Sequence, residues 1–161
     1  MVIATAVALA LAATAAQAAT GYTITYSKAG LVSGDSASFA VTPGDATKLA
    51  IHSGAPTSGN VMVPLSPSFV INTVDPEGNT DTTVSETGTV SVAYASGTTA
   101  GVVDSSGTNT VDVVNGVATF DNIVLKGKTG DYTFTFSHSG SYTAVTSDAV
   151  TLNPGAAVLL K

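Results

Sequence analysis

Gly130-Asp131-Tyr132-Thr133-Phe134-Thr135-Phe136-Ser137-His138 alternates rings with small hydroxyl residues. In an extended chain successive side chains point to opposite faces, so Tyr132, Phe134 and Phe136 share one side while Thr133 and Thr135 share the other. Such a segment reads as a strand with a buried ring face. The same period recurs away from it. Tyr22, Ile24 and Tyr26 alternate with Thr23 and Thr25; Ala37, Phe39 and Val41 alternate with Ser36, Ser38 and Ala40; Val90, Val92 and Tyr94 alternate with Thr89, Ser91 and Ala93. Further strands are predicted over residues 48–51, 61–63, 69–74, 100–103, 110–114, 116–120, 123–125 and 145–152. They are separated by turn material such as Thr42-Pro43-Gly44-Asp45, the loop at 54–59 and Asp75-Pro76-Glu77-Gly78-Asn79. Asn115-Gly116 between β-branched neighbours predicts a two-residue hairpin turn. No 3.6-residue period occurs beyond Gly21, so the expected fold is all-β, two sheets closed over one apolar layer.

Composition narrows the function classes. The 161 residues carry 11 acidic and 5 basic side chains, a net charge of -6, and charged residues are only 10%. Lys28, Lys48, Lys126, Lys128 and Lys161 are scattered, so no positive footprint forms for releasing phosphate counterions, and nucleic acid is not an expected partner. The same scarcity argues against an electrostatic hold on anionic lipid, and no membrane role beyond export is expected. Cysteine is absent, which removes disulfides, thiolate catalysis and sulfur-ligated metals together.

Residues 1–18 admit two readings. The apolar, alanine-rich run ending in Ala16-Gln17-Ala18 fits a signal-peptidase site, although no Lys or Arg precedes it. Alternatively Val7, Leu9 and Leu11, alternating with Ala8 and Ala10, belong to a strand.

The chain also repeats itself. Gly21-Tyr22-Thr23-Ile24-Thr25-Tyr26-Ser27-Lys28-Ala29-Gly30 matches residues 131–140 at an offset of 110, and Phe39-Ala40-Val41-Thr42-Pro43-Gly44 matches Val150-Thr151-Leu152-Asn153-Pro154-Gly155 once one residue is inserted. A period of that size is one sandwich domain. The expected organisation is therefore a complete domain at 45–155, the last strands of an incomplete copy at 19–44, and an exit strand or the start of a next copy at 156–161. Two strands do not bury a ring face alone, so Tyr22, Ile24, Tyr26 and Phe39 are expected to take part in assembly or strand complementation.

These features resemble the tandem immunoglobulin-like repeats of large bacterial surface, invasin-like, adhesin-like and S-layer-associated proteins. The resemblance is carried by Ala46-Thr47-Lys48-Leu49, Val74-Asp75-Pro76-Glu77-Gly78-Asn79, Asn115-Gly116-Val117-Ala118-Thr119-Phe120 and Gly130-Asp131-Tyr132-Thr133-Phe134. It implies an immunoglobulin-like β-sandwich and a structural role, as stalk, lattice or fibre subunit, at the cell surface or outside the cell. Phage particles carry similar domains, and a phage assembly is the minor alternative location. Expected partners are further copies of itself or other immunoglobulin-like domains. The alternative is an adhesion module binding a cell-surface glycan or protein, and the resemblance brings no catalytic residue with it.

Three groups of residues carry candidate chemistry. Asp75, Glu77 and Asp81, with Asp104 if the fold brings it near, could gather oxygen ligands for calcium, the one cofactor the sequence suggests. The competing and favoured reading makes Asp75 and Asn79 caps of a turn, with Gly78 at positive φ. His52 and His138 are too few for a zinc site, and His138 is expected in a solvated turn. Tyr94, Phe120, Tyr132, Phe134 and Phe136 read as core, leaving Tyr142 as the exposed ring expected to meet a ligand. No enzymatic activity is expected.

Overall fold

A computed structural model describes residues 19–84, 89–97, 102–103 and 107–156. The signal-like or strand-like stretch 1–18, Asp104, the side chain of Tyr94 and residues 157–161 lie outside these. The strands are β1 (Ala19–Tyr22), β2 (Thr25–Tyr26), β3 (Gly34–Asp35), β4 (Phe39–Val41), β5 (Lys48–Ile51), β6 (Ser58–Asn60), β7 (Phe69–Val74), β8 (Thr89–Gly97), β9 (Val102–Val103), β10 (Thr110–Asp112), β11 (Val117–Phe120), β12 (Leu125–Lys126), β13 (Gly130–His138), β14 (Val145–Thr146) and β15 (Val150–Asn153). The protein is all-β, with several sheets, the largest of which curls into a half-barrel.

That largest sheet runs β10-β8-β13-β15-β6, with β14 also on β13. A three-stranded sheet runs β11-β7-β5, and β12-β9, β1-β4 and β2-β3 form separate pairs. Strand β13 holds the large sheet together. It pairs antiparallel with β8 over Tyr132 to His138 on one edge, and with β15 and β14 on the other. Its period-two pattern does what the sequence predicts: Tyr132, Phe134 and Phe136 are fully buried and Thr133 and Thr135 half-buried.

The buried face meets the three-stranded sheet through rings. Phe69 of β7 lies 5.5 Å from Phe134 and 5.0 Å from Phe136, and Phe120 of β11 lies 5.2 Å from Phe136, all tilted. Tilted ring pairs contribute about 0.5–1.5 kcal/mol each beyond the area they remove from water. Around them pack Leu49, Leu65, Ile71, Ile123, Leu125, Val150 and Leu152.

Several predicted segments differ in detail. Residues 61–63 form a turn, with Met62 at φ 65, and the extended piece is β6, which pairs parallel with β15. Here the neighbouring strand, not local propensity, decides which residues are extended. The segment at 145–152 divides into β14 and β15, because Ser147 turns inward to bond β13. His138 ends β13 rather than standing in a solvated turn; it is half-buried, and its Nδ1 accepts the Gly140 N–H at 2.9 Å.

The Asn115-Gly116 turn forms as predicted, with φ of 50 and 76 and hydrogen bonds in both directions between Val114 and Val117. It does more than reverse the chain. The Gly116 carbonyl accepts the Thr73 N–H, its own N–H donates to the Val84 carbonyl, and a Cβ there would stand 2.3 Å from the Asp81 carbonyl oxygen. Gly116→Ala therefore meets both a positive φ and a backbone collision, and is expected to cost about 2 kcal/mol or more. Urea unfolding should show a lowered midpoint; an unchanged one would mean the turn is not wedged there.

Candidate functional site

The strand pairings from Tyr22 to Phe39 reproduce those from Tyr132 to Val150; beyond them a bulge between Thr20 and Tyr22 shifts the register, so Thr20 pairs with Ala40 where Gly130 pairs with Leu152. Tyr22 pairs with Phe39 as Tyr132 pairs with Val150, Thr25 with Asp35 as Thr135 with Thr146, and Tyr26 with Gly34 as Phe136 with Val145. One serine in each unit makes the same three bonds. The Ile24 N–H donates to Ser36 Oγ at 2.9 Å, and the Phe134 N–H to Ser147 Oγ at 3.0 Å. Each serine N–H returns to the carbonyl of that same partner, and each hydroxyl donates to the carbonyl of the next residue. Two stretches of one chain thus adopt one local structure, including the kink that splits the returning strand in two.

What differs is the covering. Phe134 is 0% exposed and its counterpart Ile24 50%; Phe136 is 0% and Tyr26 61%; Val150 and Leu152 are 1%, while Phe39 and Val41 are 43% and 50%. Tyr22 and Phe39 touch each other at a ring separation of 6.1 Å. All four residues expected to serve assembly therefore sit on one strand unit, and Ile24, Tyr26 and Phe39 are exposed with Tyr22 half-buried.

The joint between this unit and the following domain is built by two carboxylates. Asp75 ends β7. Its Oδ1 accepts the N–H groups of Glu77 at 3.1 Å and Asn79 at 2.8 Å, while its Oδ2 accepts the Asn79 side-chain amide at 2.9 Å and the Gly44 N–H at 3.0 Å. Asp81 Oδ1 accepts both the N–H and the hydroxyl of Thr83, and its Oδ2 accepts the Ala46 N–H at 3.2 Å. Lys48 adds a bond from Nζ to the Pro76 carbonyl at 2.8 Å. Gly44 and Ala46 flank the connection between unit and domain, so both carboxylates, themselves buried, hold the chain at that point.

This geometry bears on calcium. The acceptor positions of Asp75 are taken by four N–H donors, Glu77 is exposed, and among the described residues no three His, Cys, Asp or Glu side chains gather as a metal site. Two of the three carboxylates named for calcium, Asp75 and Asp81, are engaged by N–H donors that local sequence does not reveal, because Gly44 and Ala46 lie more than thirty positions away. Tyr142 is not the exposed ring expected. It is half-buried, its ring lies 4.6 Å from that of His138, and it packs against the core.

Burial alone would raise the Asp75 pKa, but the hydrogen bonds from Asn79 and Gly44 outweigh it and bring it from the ordinary 3.8 to about 2. For Asp81 the Thr83 hydroxyl leads the lowering, opposed by burial and by the nearby charge of Asp75.

Comparison of the chain with protein-family models, with characterised proteins and with solved structures returns no match.

A depressed carboxyl pKa makes the unfolded chain bind more protons in the interval between the two values, so stability rises with pH there. The contribution of Asp75 is complete above about pH 4 and is lost as pH falls toward 2. Denaturation from pH 5 to pH 2 should show this loss, and Asp75→Ala should flatten it while costing about 2–4 kcal/mol at neutral pH. A variant with the wild-type acid profile would show that the bonds to Gly44 and Asn79 carry no stability.

Proposed function

We propose that the chain is a structural module with an immunoglobulin-like sandwich at residues 45–155, joined head to tail to its neighbours in a bacterial surface or phage assembly. Its work is mechanical: it sets distance and direction between the things it connects. The single observation that carries this reading is the pair of carboxylates, Asp75 and Asp81, bonded to the chain just where one repeat unit passes into the next.

A spacer needs modules that resist unfolding and joints that resist bending. The first requirement is met by the ring layer shared by β7, β11 and β13. The second would be met at the joint, where Gly44 and Ala46 are bonded to the side chains of Asp75 and Asp81, which follow β7. The immunoglobulin-like description rests on an antiparallel three-stranded sheet facing the larger sheet across buried rings, with short strands and frequent turns. An extracellular setting suits a surface of hydroxyl and small side chains with few lysines. The adhesive alternative asks for a free aromatic patch at the loop tips, and the ring named for it, Tyr142, is packed on His138, whereas the exposed Tyr26 and Phe39 lie on the strand unit.

Two measurements test the proposal. Backbone relaxation should give order parameters of about 0.85 through Gly44 to Thr47, falling below about 0.6 in an Asp75→Ala, Asp81→Ala double variant. A joint already loose in the wild type would end the spacer reading. Protease treatment of intact cells or particles that make the protein should release peptides from residues 45–155, and their appearance only after lysis would contradict surface placement.

A further inference from the structure

Resting on the spacer reading, we propose that tension passing through residues 45–155 is borne by one contact, loaded in shear. It is the parallel run of the domain's first strands, β5 and β6, beside its last segment, Thr143 to Asn153. The chain enters and leaves the domain at opposite ends. Gly44 and Ala46 are held beside the C-terminal end of β7, where Val74 pairs with Lys48. Lys48 also bridges Thr143, just before Val145, which pairs with Phe136 near the end of β13. β15 pairs instead with the beginning of β13, Leu152 opposite Gly130, so the chain leaves from the far end of that nine-residue strand.

Between these ends the first and last segments run side by side in the same direction. Lys48 bridges Thr143 in parallel; the Leu49 N–H donates to the Thr143 carbonyl at 2.9 Å, and the Thr143 N–H to the Thr47 carbonyl at 3.0 Å. Further along, Ser58, Gly59 and Asn60 lie opposite Thr151, Leu152 and Asn153, again in parallel. There the Thr151 N–H donates to the Thr57 carbonyl and the Val61 N–H to the Asn153 carbonyl, each at 3.0 Å. Both segments are seated on the core. Val150 and Leu152 are buried, and Gly59 leaves the space its Cβ would take to the buried Leu65 side chain.

Pulling Gly44 one way and Gly155 the other therefore drives two parallel neighbours past each other along their length. Their bonds lie across the pull and stretch together, because neither end of the contact opens first. Antiparallel neighbours would behave differently: both pulled residues would sit at one end of the contact, and its bonds would break singly from that end. One backbone bond is weak, so resistance depends on how many are loaded at once. β5 is also laddered to β7, and β15 to β13, but a load passing directly between those sheets crosses the ring layer, where side chains meet without hydrogen bonds.

Stretching single molecules of the full chain through engineered cysteine pairs tests this, since the protein has no cysteine of its own. Thr42→Cys with Ala156→Cys loads the contact along its length. Met62→Cys with Ala156→Cys pulls the two segments apart from one end, where Val61 meets Asn153. Held at one force, the first pair should keep the domain folded at least about tenfold longer than the second. Val61→Pro removes one donor from the contact and should shorten the lifetime in the first geometry about fivefold. Phe120→Leu, which thins the ring layer, should shorten it less for the same loss of stability in urea. Equal lifetimes in the two geometries would overturn the proposal, and so would a folded Val61→Pro variant that lasts as long as its parent. Should Val61→Pro not fold, the two geometries on the otherwise unaltered chain still decide. Either overturning result beside a rigid Gly44 to Thr47 joint would leave the spacer function standing and remove only this load path; a loose joint would remove the spacer reading whatever the lifetimes.

Discussion

Phe69, Phe120, Phe134 and Phe136 touch across the space between two sheets, and the remaining structure is arranged so that this contact can exist. Rings on β13 reach rings on β7 and β11 only if β13 sits mid-sheet, so both its edges must be occupied. β8 fills one edge; β14 and β15 fill the other. β7 has the same requirement and is flanked by β5 and β11. With no disulfide to limit the unfolded ensemble, packing of this layer and the ladders around it supply the cohesion.

The polar arrangement follows from the apolar one. β7 is buried along most of its length, which brings Asn72, Thr73 and Asp75 inside with it. Each needs partners, since an unpaired buried polar group is costly. Thr73 finds the Gly116 carbonyl, and Asp75 collects N–H groups from its own turn and from Gly44. The Asn72 amide nitrogen donates to the Thr80 hydroxyl, while its Oδ1 is left buried without a partner among the described residues. The joint to the preceding strand unit is thus part of how the domain satisfies its own interior. The bonds that hold that joint and the bonds that satisfy the domain interior are made by the same carboxylates.

Local pattern made some parts readable and left others dark. The rings of β13, the bounds of β7 and the Asn115-Gly116 turn are local: a period of two, or a residue that tolerates positive φ, is visible without knowing what lies opposite. The match of residues 22–26 to 132–136 was visible for the same reason. β6 was not, because Ser58-Gly59-Asn60 carries no strand signal and is extended by pairing with β15. The division of β14 from β15 was hidden in a Ser147 that looked like any other serine, although Ser36 stands at the matching place in the first unit. Asp75 was read as a turn cap, and its Asn79 bonds fit that reading, but its reach to Gly44 depends on tertiary structure. The exposure expected of Tyr142 failed because His138, at the end of β13, offers it a ring to lie on.

The wedged turn at Asn115-Gly116 carries a chemical consequence. An asparagine followed by glycine is the sequence most prone to spontaneous deamidation, in which the glycine nitrogen attacks the asparagine side chain and closes a succinimide ring. Here that nitrogen is held on the Val84 carbonyl, and Gly116 is buried beneath Asp81. Ring closure would require the turn to lift out of its slot first. The turn would stay unaged for as long as the domain beneath it stayed folded.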